Sequence, residues 1–526
     1  MADETTHVLR AEGINFAATL YDTNDISTIR GAGLALLEAI KDVDDALRRH
    51  GLTDLTRIFA GASQAAFSFR ADIDTANEAL KAVRAVLAGE PPAPTRSGAP
   101  PLRHLMFVAD LAPLAGDSTH EIEAALAAAE ALNRARQFRE FTMKLPDPGA
   151  KSPGPDPLDH SSQGVKTFRM PGDKEDRLYS RSVIDRHNYG RDQRAKFYTR
   201  ADGMPLDVCR SLQEVVDFPP SGLRASPRGK LAYLYADGNR FSAIRAKVGT
   251  KVFSEELEKL QTPLLRQITG WLREGLKLQD LSRVAPIDKT GLVRFETLLW
   301  GGDEFLFVMP AWLGLHVLGE LVTAMAGWKI CGHELTFAFG MAICDVKTPV
   351  RQARETAHRL AESVKDAMGA TPRSGAAIQV YESQNLIDAP LKTQRSLLFG
   401  ISPKATEHLD KALIIDAAAL PCLPKTIRTL TDEGAHEGTL SGTTLHAAIT
   451  AARAAPDGLL SDQGKAAALK VLEDAFTRFG HCVPRVEIPG FVTRGLVLDL
   501  CLVAMLRDYC ALPESGSLPP FPAVTP

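Results

Sequence analysis

The chain has 526 residues, of which 45% are hydrophobic and 24% are charged, as in a globular protein with about three or four domains of about 150 residues each. The formal net charge of −3 excludes an overall basic field for nucleic acid or membrane, although a local basic groove would not show in this sum. The seven cysteines form no Cys-x-x-Cys pair, which argues against a zinc ribbon or a disulfide framework and favours reduced thiols.

The sequence shows no pattern of export or membrane insertion. Its N-terminal residues are polar and acidic and lack the basic and apolar regions of a signal peptide. An apolar stretch from Gly490 to Leu506 is interrupted by Arg494 and Asp499, whereas a spanning helix needs about 20 apolar residues. We therefore expect a cytoplasmic protein with no membrane partner.

The first segment, residues 1–144, alternates strand and helix patterns in the order βαββαβ. The predicted strands are Ile14–Asp22, Arg57–Gly61, Ala65–Ala71 and Arg103–Ala112, and the predicted helices are Ile26–His50, Asp72–Leu87 and Thr119–Glu140. This order is that of a ferredoxin-like domain of the palm type.

The second segment, residues 145–225, is predicted to be a linker with an arginine-rich insert. Pro, Gly and Ser are frequent from Leu145 to Gly164, which is typical of a linker. Arginines are frequent between Arg177 and Arg200. Such a cluster can bind phosphate or nucleic acid, but we expect mainly a solvated, partly disordered segment.

The third segment, residues 226–395, repeats the βαββαβ order and adds one helix and one strand. The predicted strands are Leu231–Asp237, Arg294–Trp300, Phe305–Pro310, Leu335–Asp345 and Ala376–Glu382, and the predicted helical stretches are Phe241–Leu278, Ala311–Gly327 and Val350–Met368. Residues 396–510 are predicted to form a helical domain and residues 511–526 a disordered tail. The predicted fold class is α+β, with two ferredoxin-like palm domains in tandem plus a C-terminal helical domain.

Short similar sequence segments support an internal duplication of the palm. The string LYDTND from Leu20 resembles LYADGN from Leu234, and FAGASQAAFSF from Phe59 resembles LWGGDEFLFVM from Leu299. The first copy lacks the acidic residues of the second at the hairpin. We therefore expect a degenerate first palm and a catalytic second palm.

Two strand ends of the second palm carry acids suited to nucleotidyl transfer. Asp237 ends one predicted strand, and Asp303 and Glu304 lie in the turn between the next two. Two divalent cations held by such carboxylates stabilise the attacking and leaving oxygens of phosphoryl transfer. Mg²⁺ or Mn²⁺ is the expected cofactor, as two ions, and the carbonyl of Gly238 is a further candidate ligand.

The predicted nucleotide-binding residues surround these acids. Gly301, Gly302 and Gly238 have no Cβ and let the backbone approach a triphosphate. Lys365 can reach the phosphates as a point charge, or it can simply face solvent. Asn239 can bind a base or ribose, or it can cap the following helix. A Gly-Gly-Asp turn alone is often only a turn, so the prediction rests on the two acidic strand ends together.

The string GGDEF at Gly301 to Phe305 resembles diguanylate cyclases, but other positions depart from that family. Its first strand usually ends in Asp-x-Asp-x-Phe-Lys, whereas this chain has Asn239 at the second acid and Ser242 at the lysine. The Arg-x-x-Asp product-inhibition motif of that family is replaced by Leu292 and Phe295.

The tandem palms followed by a helical region resemble the polymerase-like large subunit of type III CRISPR effector complexes, from about Ile14 to Tyr509. That resemblance implies cyclic oligoadenylate synthesis from two ATP molecules held between the palms. It also implies Asp237 and Asp303 as metal ligands, with Glu304 where the family has a second hairpin Asp. The chain has no His-Asp dipeptide and no zinc-ribbon cysteines, so neither the HD nuclease domain nor the ribbon of that family is expected in it.

The sequence therefore predicts an ATP-using nucleotidyltransferase that makes a cyclic oligonucleotide signal in antiviral defence. The alternatives are a GTP-using diguanylate cyclase and a non-catalytic nucleotide-binding scaffold of a CRISPR-type complex. The expected partners are ATP or another NTP, an RNA or protein activator, and a downstream effector that senses cyclic nucleotides. Base specificity, ring size and oligomeric state do not follow from the sequence.

Overall fold

The structure is a computed structural model of the chain. It describes residues 4–61, 63–90, 100–139, 154–159, 162–170, 173–217, 219, 225–277, 291–368, 372–382, 389–401, 409, 411–431, 439–456, 458–478, 481–510 and 520–522. Most of the predicted linker and of the predicted tail lies outside these residues.

The first palm is a four-stranded antiparallel sheet with helices packed on it. Its sheet order is β2-β3-β1-β4, which is the order of a ferredoxin-like fold. Its elements are β1 (Thr5–Ile14), α1 (Phe16–Thr19), α2 (Ile26–Arg49), β2 (Thr53–Ala60), β3 (Gln64–Ala71), α3 (Ile73–Leu87), β4 (Met106–Leu114) and α4 (Thr119–Gln137).

The first strand of this palm does not lie where the sequence predicted it. The prediction was Ile14–Asp22, whereas β1 ends at Ile14 and α1 follows. Asn15 adopts a left-handed conformation with φ 58°, which turns the chain out of the sheet and into α1. Asp25 then defines the start of α2, because its side chain accepts a hydrogen bond from the backbone amide of Thr28 at 2.7 Å and so caps the helix.

The arginine-rich segment is an ordered connector packed on the first palm, whereas the sequence predicted partial disorder. Its arginines are nevertheless largely solvated as predicted, since Arg177, Arg181, Arg191 and Arg200 are exposed. Its elements are β5 (Lys166–Phe168), β6 (Arg177–Tyr179), α5 (Arg181–Gln193), α6 (Thr199–Asp202) and α7 (Leu212–Val216). Helices α5 and α2 cross closely, since a Cβ on Gly31 would lie 1.9 Å from the carbonyl oxygen of Arg186. The guanidinium of buried Arg186 donates to both carboxylate oxygens of Asp22, at 2.9 and 2.7 Å.

The second palm is built on the same plan and is extended at one edge. In the six-stranded order β14-β13-β12-β7-β9-β8, the last four strands repeat the order of the first palm. Strand β13 runs parallel to β12, and β14 runs antiparallel to β13. Its elements are β7 (Lys230–Gly238), α8 (Phe241–Val248), α9 (Thr250–Lys277), β8 (Glu296–Gly301), β9 (Glu304–Pro310), α10 (Ala311–Met325), β10 (Lys329–Ile330), β11 (His333–Glu334), β12 (Phe337–Asp345), α11 (Val350–Met368), β13 (Gly375–Val380), α12 (Leu391–Phe399) and β14 (Ile414–Asp416).

The two faces of the central strand β7 belong to different cores. Leu234 and Ala236 pack with α9 and α10, whereas Tyr233 and Tyr235 pack on the face of α11 and α2. Because side chains alternate along a strand, Asp237 lies on the same face as the two tyrosines. This alternation directs the catalytic candidate toward α11.

The C-terminal region is helical and shares the core of the second palm. Its helices are α13 (Leu423–Thr431), α14 (Gly442–Ala454), α15 (Asp462–Thr477) and α16 (Leu496–Cys510). The α+β architecture of two palms and a helical region is therefore confirmed, although β14 extends the palm sheet beyond the predicted boundary at residue 395. Within the described residues, no helix is both long enough and apolar enough to cross a bilayer.

Part of the predicted disordered tail is ordered. Phe521 is buried, and its ring centroid lies 5.5 Å from that of Trp271 on α9. Its backbone amide donates to Glu320 at 2.8 Å. The sequence prediction missed this because a single aromatic residue in a Pro-rich stretch shows no periodicity.

Candidate functional site

The hairpin between β8 and β9 holds the predicted acids beside the end of β7. Gly301 and Gly302 have φ values of 148° and 63°, which favour glycine and close the tight turn. Asp237 pairs across the strands with Glu304, and the amide of Gly238 donates to the carbonyl of Asp303 at 3.0 Å. The structure thus brings both acidic strand ends together, as the sequence predicted.

Asp237 is a buried carboxylate held by a lysine from α11. It is 6% exposed, and its Oδ2 lies 2.5 Å from the Nζ of Lys365. Burial raises the pKa of Asp237 to about 6, although the adjacent Lys365 ammonium lowers it. Burial therefore outweighs a direct ion pair, because desolvation penalises the charged form.

Asp303 lies at the turn and lines the clefts on both sides of the hairpin. Burial raises its pKa and the charge of Glu304 raises it further, whereas Lys365 and Arg245 lower it. The turn itself is fastened from α9, where the Gln261 amide donates to the carbonyl of Gly302 at 2.5 Å. Two close acids with raised pKa values form a site that gains stability from a bound cation.

The predicted metal ligands do not all surround one point in this structure. Within the described residues, the group of candidate ligands whose ligand atoms all lie within 4.8 Å of one another consists of two acids and a histidine, namely Asp237, Glu362 and His358. Asp303 and Glu304 lie outside this group. The physical reason is the direction of Asp237, which faces α11 and its Lys365, while Asp303 faces the cleft.

Gly238 and Asn239 pack against the protein interior next to Asp237 and do not line either cavity of the cleft. A Cβ on Gly238 would lie 2.5 Å from the ring of Phe241, so this glycine makes room for a core side chain. Asn239 is 2% exposed, and its amide nitrogen donates to Thr336 at 3.1 Å and to the carbonyl of Arg373 at 3.3 Å. The interpretation of Asn239 as a base or ribose contact does not fit this position.

Two adjoining cavities flank the hairpin between the palms. The first has a volume of about 270 Å³ and contains aromatic side chains of both palms and of the connector. The second has a volume of about 550 Å³ and is bordered by basic residues. Trp300, Gly301, Gly302 and Asp303 line both. Cavities of about 300–1,000 Å³ are typical of small-molecule sites.

Several cleft residues were not singled out from the sequence. The basic residues of the second cavity are Lys41, Arg57, Arg200 and Arg245. In the first cavity, the guanidinium of Arg354 lies 4.8 Å from the ring centroid of Tyr21, a cation–π distance. Two of them had a signal in the sequence: Arg200 ends the arginine cluster that can bind phosphate, and Arg245 lies one helical turn after Phe241 on the helix that follows the acidic strand end.

The first palm places a matching turn in the same cleft. Glu12 pairs with Gln64 as Asp237 pairs with Glu304, and the amide of Gly13 donates to the carbonyl of Ser63 at 2.7 Å. Glu12 is therefore the counterpart of Asp237, and the comparison of LYDTND with LYADGN was wrong. The hairpin comparison holds, with Ser63 and Gln64 in place of the two acids.

Buried contacts tie the two palms together beneath the first cavity. The Arg30 guanidinium on α2 forms a two-point ion pair with Glu296 on β8, with Nε 2.8 Å from Oε1. Arg30 also donates to the carbonyl of Cys209 at 3.0 Å. The hydroxyl of Tyr198 donates to the carbonyl of Phe295 at 3.1 Å. The cleft is thus bounded by a fixed interface between the palms and the connector.

Comparison with known proteins supports the fold. No protein-family model and no curated protein sequence matches the chain. Among solved structures, Csm1 of T. onnurineus matches with a TM-score of 0.55 at 13% identity, covering 96% of this chain and 70% of Csm1.

Two further matches are to Csm1-Csm4 cassettes. The apo cassette matches with a TM-score of 0.54 at 11% identity, covering 96% of this chain and 69% of the other. The cassette in complex with one ATP gives 0.52 at 12% identity, with 95% and 70% covered. The resemblance to the polymerase-like large subunit of type III CRISPR complexes is therefore confirmed at the level of the fold, and this chain folds as Csm1 does.

Proposed function

We propose that this protein is a metal-dependent nucleotidyltransferase that joins ATP molecules into a cyclic oligonucleotide of the cyclic oligoadenylate kind, as a second messenger in antiviral defence. The observation that carries the proposal is the acidic hairpin at Asp303, which lines a cleft between two palms with buried Asp237 directly behind it. Burial raises the pKa of both carboxylates, and a bound divalent cation would offset the cost of their desolvation.

The carboxylate oxygens fit the cations that the fold implies. Asp237, Asp303 and Glu304 supply hard oxygen donors, which Mg²⁺ and Mn²⁺ prefer. When bound, two such ions would neutralise charge on the attacking and leaving oxygens of the transfer.

The cleft offers separate surroundings for the parts of a nucleotide. The basic side chains Lys41, Arg200 and Arg245 border the second cavity and suit a triphosphate. The aromatic side chains Tyr21 and Trp300 border the first cavity and suit a base. In each transfer the 3′ oxygen of one nucleotide bonds to the α-phosphorus of another, its proton leaves, and the bond to pyrophosphate breaks.

The structural neighbours support nucleotide and protein partners of this kind. Solved Csm1-Csm4 cassettes with TM-scores above 0.5 include complexes with AMPPNP, with one ATP and with pppApA. By analogy of fold we propose ATP as the substrate, a Csm4-like protein or an RNA as the activating partner, and an effector that senses the cyclic product.

The test is product analysis with the purified full chain. Each NTP is incubated separately with Mn²⁺ or Mg²⁺, with and without candidate RNA, and the products are identified by mass spectrometry. We expect pyrophosphate and cyclic adenylates from ATP, lost by at least about a hundredfold in Asp303→Asn. Asp45→Asn, an exposed acid on α2, is the matched control and should keep full activity.

Other outcomes separate the alternatives. Turnover of GTP alone to a cyclic dinucleotide would favour a diguanylate cyclase. No product from any NTP with any activator would contradict an enzyme of this class.

A non-catalytic nucleotide-binding scaffold is the second candidate. It is favoured by the contact of Lys365 with Asp237 at 2.5 Å, because this contact occupies the carboxylate that a metal would need. This candidate predicts tight ATP binding without turnover, and the same affinity in Asp303→Asn.

A further inference from the structure

The ammonium of Lys365 lies between two carboxylates of the candidate metal group. Its Nζ is 2.5 Å from Oδ2 of Asp237 and 3.2 Å from Oε1 of Glu362. Glu362 and Lys365 are three residues apart on α11, a spacing that places both on one face of the helix. The two acids differ in burial, since the Asp237 side chain is 8% exposed and that of Glu362 is 44% exposed.

A divalent cation that binds the Oδ2 atom of Asp237 would compete with this ammonium for the same oxygen. Metal–oxygen distances of about 2.0–2.2 Å would put the ion within a few ångströms of Nζ, where two positive charges repel strongly in a poorly solvated site. Removing the ammonium without a replacement would leave Asp237 as a buried and uncompensated charge. One positive group therefore has to replace the other.

Glu362 gives the lysine a second position. It already contacts Nζ, it is half-exposed, and the flexible lysine stem lets the ammonium stay with Glu362 after it leaves Asp237. Exchange then needs no large movement of the backbone.

We infer that Lys365 is a positioning residue that serves as the resident counter-cation of Asp237, and that a divalent cation must displace it toward Glu362. This inference rests on the proposed function, because it assumes that Asp237 is a metal ligand. Lys365 then sets the affinity of the site for metal, and Asp237 is available to metal only when the ion outcompetes the ammonium.

The test measures Mn²⁺ binding to the full chain without nucleotide. Free Mn²⁺ is followed by electron paramagnetic resonance during a titration of wild type, Lys365→Met, Glu362→Gln and Asp237→Asn. The matched control is Lys259→Met, because Lys259 forms an exposed pair with Glu256 at 2.6 Å with the same three-residue spacing.

The expected order of Mn²⁺ affinities follows from the competition between Mn²⁺ and the Lys365 ammonium for Asp237. Lys365→Met should bind Mn²⁺ at least about tenfold more tightly than wild type, and Lys259→Met should match wild type. Glu362→Gln should bind Mn²⁺ several-fold more weakly, since the ammonium loses its alternative partner. Because Glu362 is itself a candidate ligand, the same change is also made in Lys365→Met, where it should leave the affinity unchanged if Glu362 acts only through the ammonium. If Lys365→Met does not fold without metal, Glu362→Gln still tests the inference, because its side chain is half-exposed.

Two results would overturn the inference in distinguishable ways. Equal Mn²⁺ affinity in wild type, Lys365→Met and Glu362→Gln, with binding lost only in Asp237→Asn, would refute the counter-cation role and leave the metal site standing. Mn²⁺ binding that does not depend on Asp237 in any variant would refute the metal site of the proposed function as well.

Discussion

The buried ion pair between Arg30 and Glu296 is expected to be a principal tie between the palms. Its side chains are 3% and 7% exposed, and the guanidinium meets both carboxylate oxygens. Removing one partner of such a pair leaves an unpaired buried charge and costs about 3–5 kcal/mol, whereas replacing both with apolar residues is often nearly neutral. Glu296→Leu should therefore cost about 3–5 kcal/mol, and the double variant with Arg30→Met clearly less.

The assay is a double-mutant cycle in urea, followed by tryptophan fluorescence, with ΔΔG compared at a common slope. The control is the pair of Arg57 on β2 and Glu258 on α9, which also joins the two palms but is exposed. Its charged atoms lie 3.4 Å apart, and its side chains are 55% and 66% exposed. Glu258→Gln should cost at most about 1 kcal/mol. A cost below about 1 kcal/mol for Glu296→Leu, or equal costs for the two pairs, would show that the buried pair is not a principal tie between the palms.

Asp237, Gly238 and Phe521 each make a contact whose loss should change the stability of the fold. The pKa of Asp237 is raised from 3.8 to about 6, so the folded state binds this proton more tightly than the unfolded state does. In the absence of metal, the free energy of unfolding should therefore fall by about 3 kcal/mol as the pH rises from about 4 to about 6. Asp237→Asn should remove this part of the pH profile in urea titrations. Gly238→Ala should cost more stability than Gly302→Ala, since its Cβ meets the ring of buried Phe241 at 2.5 Å, whereas Ala at Gly302 contacts nothing and carries only the strain of a φ of 63°, about 1–2 kcal/mol. Equal melting curves would contradict this. Phe521→Ala should lower stability by about 1–3 kcal/mol, and an unchanged midpoint in urea would show that the tail contact is not formed.

The sequence predicted best where periodicity and flanking residues agreed. Helix α11 has the predicted bounds, Val350–Met368, because a clear 3.6-residue pattern follows Pro349, which suits the start of a helix. The hairpin was also predicted, since two apolar strands flank Gly301 and Gly302. Patterns of this kind depend on neighbours in sequence, so a single chain reveals them.

The sequence predicted least where distant residues decide the structure. Arg186 belongs to a charge-rich run that typically faces solvent, yet it is buried because Asp22 and the carbonyl of Thr19 accept its hydrogen bonds. Asn239 follows an acidic strand end and resembles a ligand contact, yet its partners are Thr336 and the carbonyl of Arg373. These hydrogen-bond partners are distant in sequence, so a local sequence pattern cannot predict them.

The matching turns of the two palms share their backbone and differ in their acidic residues. Both copies keep the backbone contact from the glycine after the acid to the hairpin carbonyl, so the turn has kept its shape in both. In the first palm, Ser63 and Gln64 replace the acids of the hairpin, and Arg10 lies 3.7 Å from Glu12. A single acid with a nearby guanidinium and no carboxylate neighbour on the hairpin has little excess negative charge to attract a metal ion. On the proposed function, we therefore expect the cation at the second palm, where Asp237, Asp303 and Glu304 lie together, and the first palm would contact the nucleotide without a metal of its own.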